Sequence, residues 1–262
     1  MLARIVSAIV VSLAISLLAR RAGSLTDGGV AAATIIGVLA LIAGWSWGVL
    51  LVAYFVSSSA LSRFGEGDKR TLNASIVEKG GARDTMQVLA NGGVFALAAL
   101  LATIEPVHAL RWQALGAGAL ATSASDTWAT EIGTLLGGVP HSIVSWRPIP
   151  RGMSGGVTLA GTLAAVGGAA FVALVTFASR WPVRVAIAAL IGGFIGSTLD
   201  SLLGGTLQTR RWCDACRAHT ERAVHDCGSP TSHAGGIPGC GNDVVNFVTG
   251  LAGGLLGLFL TR

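Results

Sequence analysis

Groups of polar residues stand within or at the ends of long apolar stretches of this 262-residue chain. Residues 123–133 carry Asp126 and Glu131 together with four hydroxyl side chains, and Asp200 lies in a later apolar stretch. Ionisable residues inside an apolar span cost roughly 2.5 to 3.5 kcal/mol each on insertion scales, and by default they indicate function. Carboxylate oxygens are ligands of hard cations. We therefore predict a Mg²⁺ site with these ligands: Asp126, Glu131, Asp200 and Asp243.

Amide and cationic side chains accompany these carboxylates. The residues predicted to bind phosphate or substrate are Gln87, Asn91, Arg147, Arg151, Gln208, Asn242 and Asn246. The residues predicted to act in catalysis are Asp126, Glu131, Asp200, Lys79 and Arg83. Carboxylates that hold a metal, with cations that offset phosphate charge, are what a phosphoryl-transfer site requires. Each group alone is also explained by an interhelical hydrogen bond or a helix cap, but their position at one membrane face favours a shared site.

Residues 147–156 form a second basic, glycine-rich segment, which either contacts nucleotide phosphates or is a plain solvated loop. The chain contains neither the G-x-x-x-x-G-K-[ST] loop of soluble nucleotide-binding proteins nor the glycine-rich strand motif of protein kinases. These absences exclude a soluble-type nucleotide fold.

The cysteines lie together between residues 213 and 240. A reducing cytosol disfavours disulfides, and a C-x₂-C pair followed by a His/Cys pair is typical of a structural zinc site. The predicted ligands are Cys213, Cys216, His225 and Cys227. The alternatives are reduced thiols without a metal, or a site that includes Cys240, His219 or His233.

The composition indicates which elements must position these residues. Apolar residues make up 52% of the chain and charged residues 12%, and the mean hydropathy is +0.68. A soluble domain carries about 25% charged residues, so an ordinary soluble protein and a disordered chain are both excluded. The net charge of +5 does not favour nucleic acid as a partner, because the basic residues lie in short segments between apolar runs. Continuous apolar runs also disfavour a β-barrel.

We predict an all-α, polytopic integral membrane protein with about seven or eight transmembrane helices. Apolar stretches of about 15 to 25 residues give the spans 2–19, 29–43, 45–61, 85–103, 112–136, 157–178, 183–205 and 244–260. The second and third spans form either a helical hairpin or one kinked element. The whole chain, 1–262, is predicted to be one membrane domain, with 208–241 as a cytosolic Cys/His loop between the last two helices. Glycines four residues apart, at 192/196 and 253/257, predict close helix packing.

Most of the 18 Lys and Arg residues fall in loops on one side of these spans. The positive-inside rule makes that side cytoplasmic and puts both termini outside. The long polar segments 62–84, 137–156 and 206–243 lie on the same side. The candidate site is therefore predicted to face the cytosol.

Five blocks of these polar residues together carry a family resemblance. They are GGARD with QVLANG in residues 80–92, SDTWATEIG in 125–133, GGV and GT in 155–162, DSLLG and LQ in 200–208, and NDVVN in 242–246. In combination they resemble domain-of-unknown-function family 92, the transmembrane-protein-19-like family, which includes the chloroplast phytyl-phosphate kinase of the tocopherol pathway. The resemblance extends from about residue 23 to residue 260.

The resemblance implies an isoprenoid-monophosphate kinase that moves the γ-phosphoryl group of CTP, or of another nucleoside triphosphate, onto phytyl or another polyprenyl monophosphate. The cofactors predicted from the residues themselves are Mg²⁺ and a structural Zn²⁺. The implied partners are the lipid phosphate, the nucleotide and the membrane, and a homo-oligomer is left open. The cysteine loop looks like that of the bacterial members, which implies a bacterial inner or plasma membrane. The alternative function is a transporter or channel that uses the intramembrane carboxylates.

Overall fold

The structure, a computed structural model, describes residues 2–73, 76 and 80–262. Within these residues the chain forms nine α-helices: α1 (Leu2–Arg21), α2 (Asp27–Ala43), α3 (Trp45–Arg63), α4 (Glu66–Asn73), α5 (Thr85–Ile104), α6 (Ala109–Leu136), α7 (Leu159–Ala178), α8 (Val183–Thr206) and α9 (Asn242–Leu260). A single 3-10 turn at Pro106–His108 precedes α6. Each of the eight predicted spans corresponds to one long helix, and the prediction of an all-α polytopic membrane protein is confirmed.

Six of the described helices are long and apolar enough to cross a membrane by length and composition: α1, α3, α5, α7, α8 and α9. The apolar helix α2 is shorter, with 17 residues. The second and third predicted spans are separate helices that meet at Gly44, whose φ of +157° is in the region that favours glycine. The helix α6 is the longest, with 28 residues, and it contains the polar run that includes Asp126 and Glu131.

The central helix of the bundle is α6, which contacts α3, α5, α7, α8 and α9. Every residue from 114 to 125 is buried. The hydroxyl of Ser123 donates to the Asn91 carbonyl oxygen at 3.0 Å, and that of Ser125 donates to the Ala165 carbonyl oxygen at 2.9 Å. Hydrogen bonds between helices are a common stabilising contact inside membranes. Two of the four hydroxyl side chains in residues 123–133 therefore join α6 to its neighbours.

Glycines allow the backbones of α8 and α9 to touch. A Cβ atom added at Gly192 would lie 2.5 Å from the Gly253 carbonyl oxygen, and one added at Gly253 would lie 2.7 Å from the Gly192 carbonyl oxygen. Real Cβ atoms do not approach so closely, so only glycine fits both positions. The close helix packing predicted from the glycine spacing is confirmed here.

Short strands, which the sequence analysis did not predict, organise two of the loops. The strands β1 (His141–Ser142) and β2 (Gly156–Val157) pair antiparallel in the loop between α6 and α7. In the loop between α8 and α9, the strands β3 (Arg210–Cys213), β4 (Ala218–Thr220) and β5 (Ser232–Gly235) form a sheet in the order β4-β3-β5. Strands of two to four residues are too short for a hydrophobic period to indicate them.

The antiparallel order of the helices gives the bundle two different ends. The C-terminal ends of α3, α6 and α8 meet the N-terminal ends of α5, α7 and α9, and we call this the polar end. Towards the opposite end, the Trp47 ring packs against Phe95 and Trp181, with centroid distances of 5.2 and 4.8 Å. This aromatic cluster belongs to the main hydrophobic core.

Candidate functional site

A cavity of ≈ 1410 Å³ opens at the polar end of the bundle. The predicted site residues that line it are Arg83, Gln87, Asn91, Asp126, Glu131, Arg151, Asp200, Asn242, Asp243 and Asn246. Two further predicted residues, Arg147 and Gln208, do not line the cavity. Lys79 lies outside the described residues. Side chains from four long helices, α5, α6, α8 and α9, and from two loops thus meet in one place, while the role of each remains a prediction.

The carboxylates of Asp126 and Asp200 line the cavity and have few hydrogen-bond partners among the described residues. Asp200 is 8% exposed, and its Oδ2 accepts a hydrogen bond from the Thr249 hydroxyl at 2.8 Å. Asp126 accepts no hydrogen bond and forms no ion pair with any residue that the structure describes, and the charges of Asp200 and Glu131 act on it. Carboxylates that repel one another at a partly buried site are stabilised by a cation. An oxygen-rich donor set of this kind suits Mg²⁺.

Glu131 is instead engaged by protein donors at both oxygens. Its Oε1 accepts from the Ser62 hydroxyl at 2.6 Å, and its Oε2 forms an ion pair with Lys69. The Lys69 ammonium also donates to the carbonyl oxygens of Leu61 and Ser62, both at 2.8 Å, and so caps the end of α3. Sequence reasoning did not identify Lys69, because nothing in the polar segment 62–84 distinguishes it from the other cations there.

Arg83 is held at the cavity by contacts with two other segments. Its backbone N–H donates to the Ser24 carbonyl oxygen at 3.0 Å, and its own carbonyl oxygen accepts from the Thr26 N–H at 3.1 Å. The guanidinium donates to the Ser59 hydroxyl at 2.9 Å and lies 5.6 Å from the centroid of the Phe55 ring. This fixed cation has one face on an aromatic ring and lines the cavity.

At the start of α5, Gln87, which the sequence predicted to bind phosphate or substrate, takes part in a helix cap. The Asp84 carboxylate accepts from the Gln87 N–H at 2.9 Å, and the Gln87 side-chain oxygen accepts from the Asp84 N–H at 3.0 Å, which is a capping box. The Asn91 side-chain amide donates to the Gln87 carbonyl oxygen at 2.8 Å. Asp84 followed three residues later by Gln87 is a sequence pattern that predicts a capping box. A ligand can therefore still meet the amide nitrogen of Gln87 and the amide oxygen of Asn91.

The start of α9 contributes a further amide. The side-chain oxygen of Asn246 is buried, and none of the described residues donates a hydrogen bond to it. A buried polar atom without a partner costs about 1–3 kcal/mol. A bound donor or cation in the cavity would remove that cost.

Glu221 joins the two loops that cover the cavity, and sequence reasoning missed it. Its Oε1 accepts from the Ser154 N–H at 3.0 Å, and its Oε2 accepts from the Gln208 side-chain amide at 2.9 Å. Gln208 is only 2% exposed, so the structure gives it a positioning contact to Glu221 beside the cavity. Arg151 lines the cavity, whereas Arg147 is exposed on the outer part of the same loop.

The loop between α8 and α9 brings the predicted zinc ligands together. The ligand atoms of four residues lie within 4.8 Å of one another: Cys213, Cys216, His225 and Cys227. Zn–S bonds of about 2.3 Å and Zn–N bonds of about 2.0–2.1 Å imply tetrahedral edges of about 3.8 Å between two sulfurs and about 3.6 Å between sulfur and nitrogen. The observed Cys213–Cys227 Sγ distance is 3.7 Å, and the His225 Nδ1–Cys227 Sγ distance is 3.4 Å. The cluster can therefore hold a metal ion, and Cys240 lies outside it.

The thiols of this cluster differ in acidity. Hydrogen bonds from the Ser229 side chain and backbone, and then from His225, lower the pKa of Cys227 to about 6. The hydrogen bond with Cys227 raises the pKa of Cys216 to about 11. Because the thiolate is the metal-binding form of cysteine, the lowered pKa of Cys227 favours metal binding.

Comparisons with known proteins show similarity to integral membrane proteins. The sequence model of the family described as Integral membrane protein DUF92 matches residues 10–254. The chain is 29% identical over 272 residues to Protein PGR of Arabidopsis thaliana, an alignment that covers 94% of this chain and 92% of that protein. It is 34% identical over 190 residues to the uncharacterized membrane protein sll0875 of Synechocystis, covering 71% and 73% of the two chains.

A further relative, also of Arabidopsis thaliana, is Protein VTE6, chloroplastic. The identity is 28% over 191 residues, which cover 71% of this chain and 57% of that relative. No solved structure gives a significant match. Since two of these relatives are plant proteins, the bacterial membrane stays a prediction, and so does the cytoplasmic direction of the polar end.

Proposed function

Because the chain belongs to the integral membrane protein family DUF92, we propose that it is an isoprenoid-monophosphate kinase. The acceptor would be phytyl or another polyprenyl monophosphate, and the donor would be CTP or another nucleoside triphosphate. The family resemblance given above supports the reaction class. The main support for the proposal is that one cavity at the polar end combines carboxylates and amides from separate helices with cations from two loops.

The chemistry needs little covalent help from the protein. An oxygen of the lipid phosphate attacks the γ-phosphorus of the nucleotide, a new P–O bond forms, and the bond from that phosphorus to the β,γ-bridging oxygen breaks. The products are the lipid diphosphate and a nucleoside diphosphate. Since the second pKa of a phosphate monoester is about 6, the nucleophile is already ionised at neutral pH. The barrier therefore comes mainly from bringing two anionic phosphates together.

The cavity residues suit that task. Arg83 and Arg151 would contact phosphate oxygens, as would Lys79 from the sequence prediction, and the amides of Asn91, Asn242 and Asn246 would orient them. Asp126 and Asp200 would hold Mg²⁺, with Glu131 and Asp243 as further candidate ligands. When bound, the metal supplies positive charge to the phosphate oxygens. The ion pair with Lys69 makes Glu131 better suited to positioning α4 against α6 than to direct metal contact.

We assign the Cys/His cluster a structural role with Zn²⁺ as its ion. Four protein ligands close a tetrahedral site and leave no position for substrate. The cluster lies in the same loop as Glu221, whose carboxylate holds the backbone of Ser154 over the cavity. A folded loop would thus keep the cavity in shape, and the polar end would face the compartment that holds the nucleotide, the cytosol.

The alternative function, a transporter or channel, is less well supported. A carrier needs polar groups that are reached in turn from both sides of the membrane. The charged residues of this cavity lie at one end of the bundle, while Trp47, Phe95 and Trp181 pack ring against ring towards the other. This arrangement favours chemistry at one face over passage through the bundle.

The direct test is incubation of the purified protein, in lipid nanodiscs with Mg²⁺, with labelled CTP or ATP and a panel of polyprenyl monophosphates. We expect a labelled lipid diphosphate, and we expect Asp126→Asn to abolish it while expression is unchanged. The matched control is Glu105→Gln, which neutralises a carboxylate outside the cavity, at the opposite end of the bundle. Absence of a diphosphate product and of nucleotide binding across the panel would overturn the proposal.

A further inference from the structure

A second cavity, of ≈ 520 Å³, lies between α1, α2, α3 and α5. The proposed reaction assigns no role to this cavity. We call it the apolar groove. Apart from the residues at its polar end, most of its lining is aliphatic or aromatic, with Ile15 and Ile36 on α1 and α2 and with Val49 and Val52 on α3. Ile15 and Val49 are among the exposed hydrophobic residues, at 37% and 52%. The groove is therefore accessible from the lipid side of the bundle.

The apolar groove and the polar cavity share three residues. Arg83, Gln87 and Asn91 line both of them. Phe55, which lies under the Arg83 guanidinium, also lines the groove. The groove thus ends at a fixed cation and two amides, and the carboxylates of the candidate site lie beyond that point.

The length of the groove matches one half of a membrane. Along α3 its lining extends from Val56 to Trp45, which at 1.5 Å per residue is about 16 Å. The hydrocarbon core of a bilayer is about 30 Å thick, so the groove extends through about one leaflet. A lipid hydrocarbon chain from the leaflet at the polar end can therefore enter the groove sideways and stay at the same depth in the bilayer.

Charge and polarity decide which occupant fits. A second copy of this protein would bring a helix flank to the groove and would leave Arg83 facing apolar side chains. A neutral lipid would fill the apolar part and leave the cation without a partner. A single hydrocarbon chain that ends in a phosphate satisfies both parts, because the phosphate meets Arg83 and the chain meets Ile15, Val49 and Val52.

We infer that the apolar groove holds the isoprenoid tail of the acceptor, with its phosphate at Arg83, Gln87 and Asn91. The isoprenoid nature of the tail rests on the proposed function; an amphiphile with one chain and an anionic head follows from the groove itself. The tail moves from one apolar surrounding to another, so the groove adds little affinity by the hydrophobic effect. Its contribution is orientation, since it brings the phosphate to Arg83, at the cavity that Asp126 and Asp200 also line.

The test uses the full-length protein in phosphatidylcholine nanodiscs with a C20 isoprenoid monophosphate that carries a diazirine at the far end of its tail. We expect light-induced crosslinks on α1, α2 and α3 at groove residues such as Ile15 and Val49. Unlabelled C20 monophosphate should compete at least tenfold better than the C20 alcohol, because only the phosphate engages Arg83. Crosslinks spread evenly over lipid-facing helices, or equal competition by the alcohol, would overturn the inference.

A matched pair of variants on α3 sharpens the test. Ala53→Phe adds a ring inside the groove, and Ala60→Phe adds the same ring two turns further along the helix, at an exposed position outside both cavities. We expect groove crosslinking to fall at least tenfold in Ala53→Phe and to stay unchanged in Ala60→Phe. Where Ala53→Phe does not fold, Val49→Trp replaces it, because Val49 is 52% exposed and tolerates bulk.

The two proposals fail in different ways. Groove crosslinks that Ala53→Phe removes, in a protein that forms no lipid diphosphate, would refute the kinase and leave the groove standing. Diphosphate formation with the same rate and the same crosslinks in both variants would refute the groove and leave the kinase standing.

Discussion

Replacement of Lys69 by Met tests whether the polar end is held together by one buried ion pair. The Lys69 side chain is 9% exposed and that of Glu131 is 20% exposed. In the native protein the Lys69 ammonium donates to Glu131 and to the carbonyl oxygens of Leu61 and Ser62. The methionine fills similar volume but removes all three donors and leaves the Glu131 carboxylate with the Ser62 hydroxyl as its remaining protein donor among the described residues.

The size of the effect follows from these contacts. Removal of one partner of a buried ion pair costs about 3–5 kcal/mol. Glu131 is partly exposed to the cavity and keeps its hydrogen bond to Ser62, so we expect a smaller loss, about 2–3 kcal/mol. In a chain of this size each kcal/mol lowers the Tm by about 2–4 °C. The expected decrease for Lys69→Met is therefore about 4–12 °C.

Thermal unfolding of the detergent-solubilised protein, followed by tryptophan fluorescence, measures this change. The control is Arg111→Met, which removes an exposed cation at the opposite end and should change stability by no more than about 0.5 kcal/mol. Adding Glu131→Gln to Lys69→Met should restore part of the loss, because the unpaired charge is gone. Equal stability of Lys69→Met and Arg111→Met, or further loss in the double variant, would refute this account of the ion pair.

Three other substitutions test the site, the packing and the loop. Asp126→Asn should lower phosphoryl transfer at least about 100-fold, by analogy with the loss of metal-site residues, and should not lower the Tm, since the carboxylate has no hydrogen-bond or ion-pair partner among the described residues and is repelled by Asp200 and Glu131; a loss of Tm would mean a structural role. Gly253→Ala places a Cβ against the α8 backbone and should cost about 1–3 kcal/mol, whereas Gly93→Ala, with its nearest atom 3.9 Å away, should be neutral or stabilising in the same unfolding assay. Cys213→Ser should abolish bound zinc in elemental analysis and increase proteolysis of the loop between α8 and α9. Cys240→Ser should keep the zinc, and equal metal content in both variants would contradict the ligand assignment.

The sequence predicted the positions of the helices but not the side-chain contacts between distant segments. The helices at the eight predicted positions could be predicted because apolar length is a local property. The cysteine spacing indicated a cluster, and the structure brings its ligand atoms together. Local sequence also contained the capping box of Asp84 and Gln87, of which the sequence analysis predicted Gln87 to bind phosphate or substrate. Nothing local indicated that Lys69 would pair with Glu131, or that Glu221 would hold Ser154 over the cavity, because each pair comes from segments far apart in the chain.

Composition and spacing by themselves determined that this chain crosses a membrane, that its polar residues lie at the same face, and that four Cys/His side chains can share a metal. Only the tertiary structure decided which carboxylates face the cavity with few protein partners, which one is paired with a lysine, and that an apolar groove meets the cavity at Arg83. The physical reason is the distance along the sequence over which each property is set. Hydropathy and helix periodicity are set by neighbouring residues, whereas the burial and the hydrogen-bond partners of a charge depend on which helices pack together.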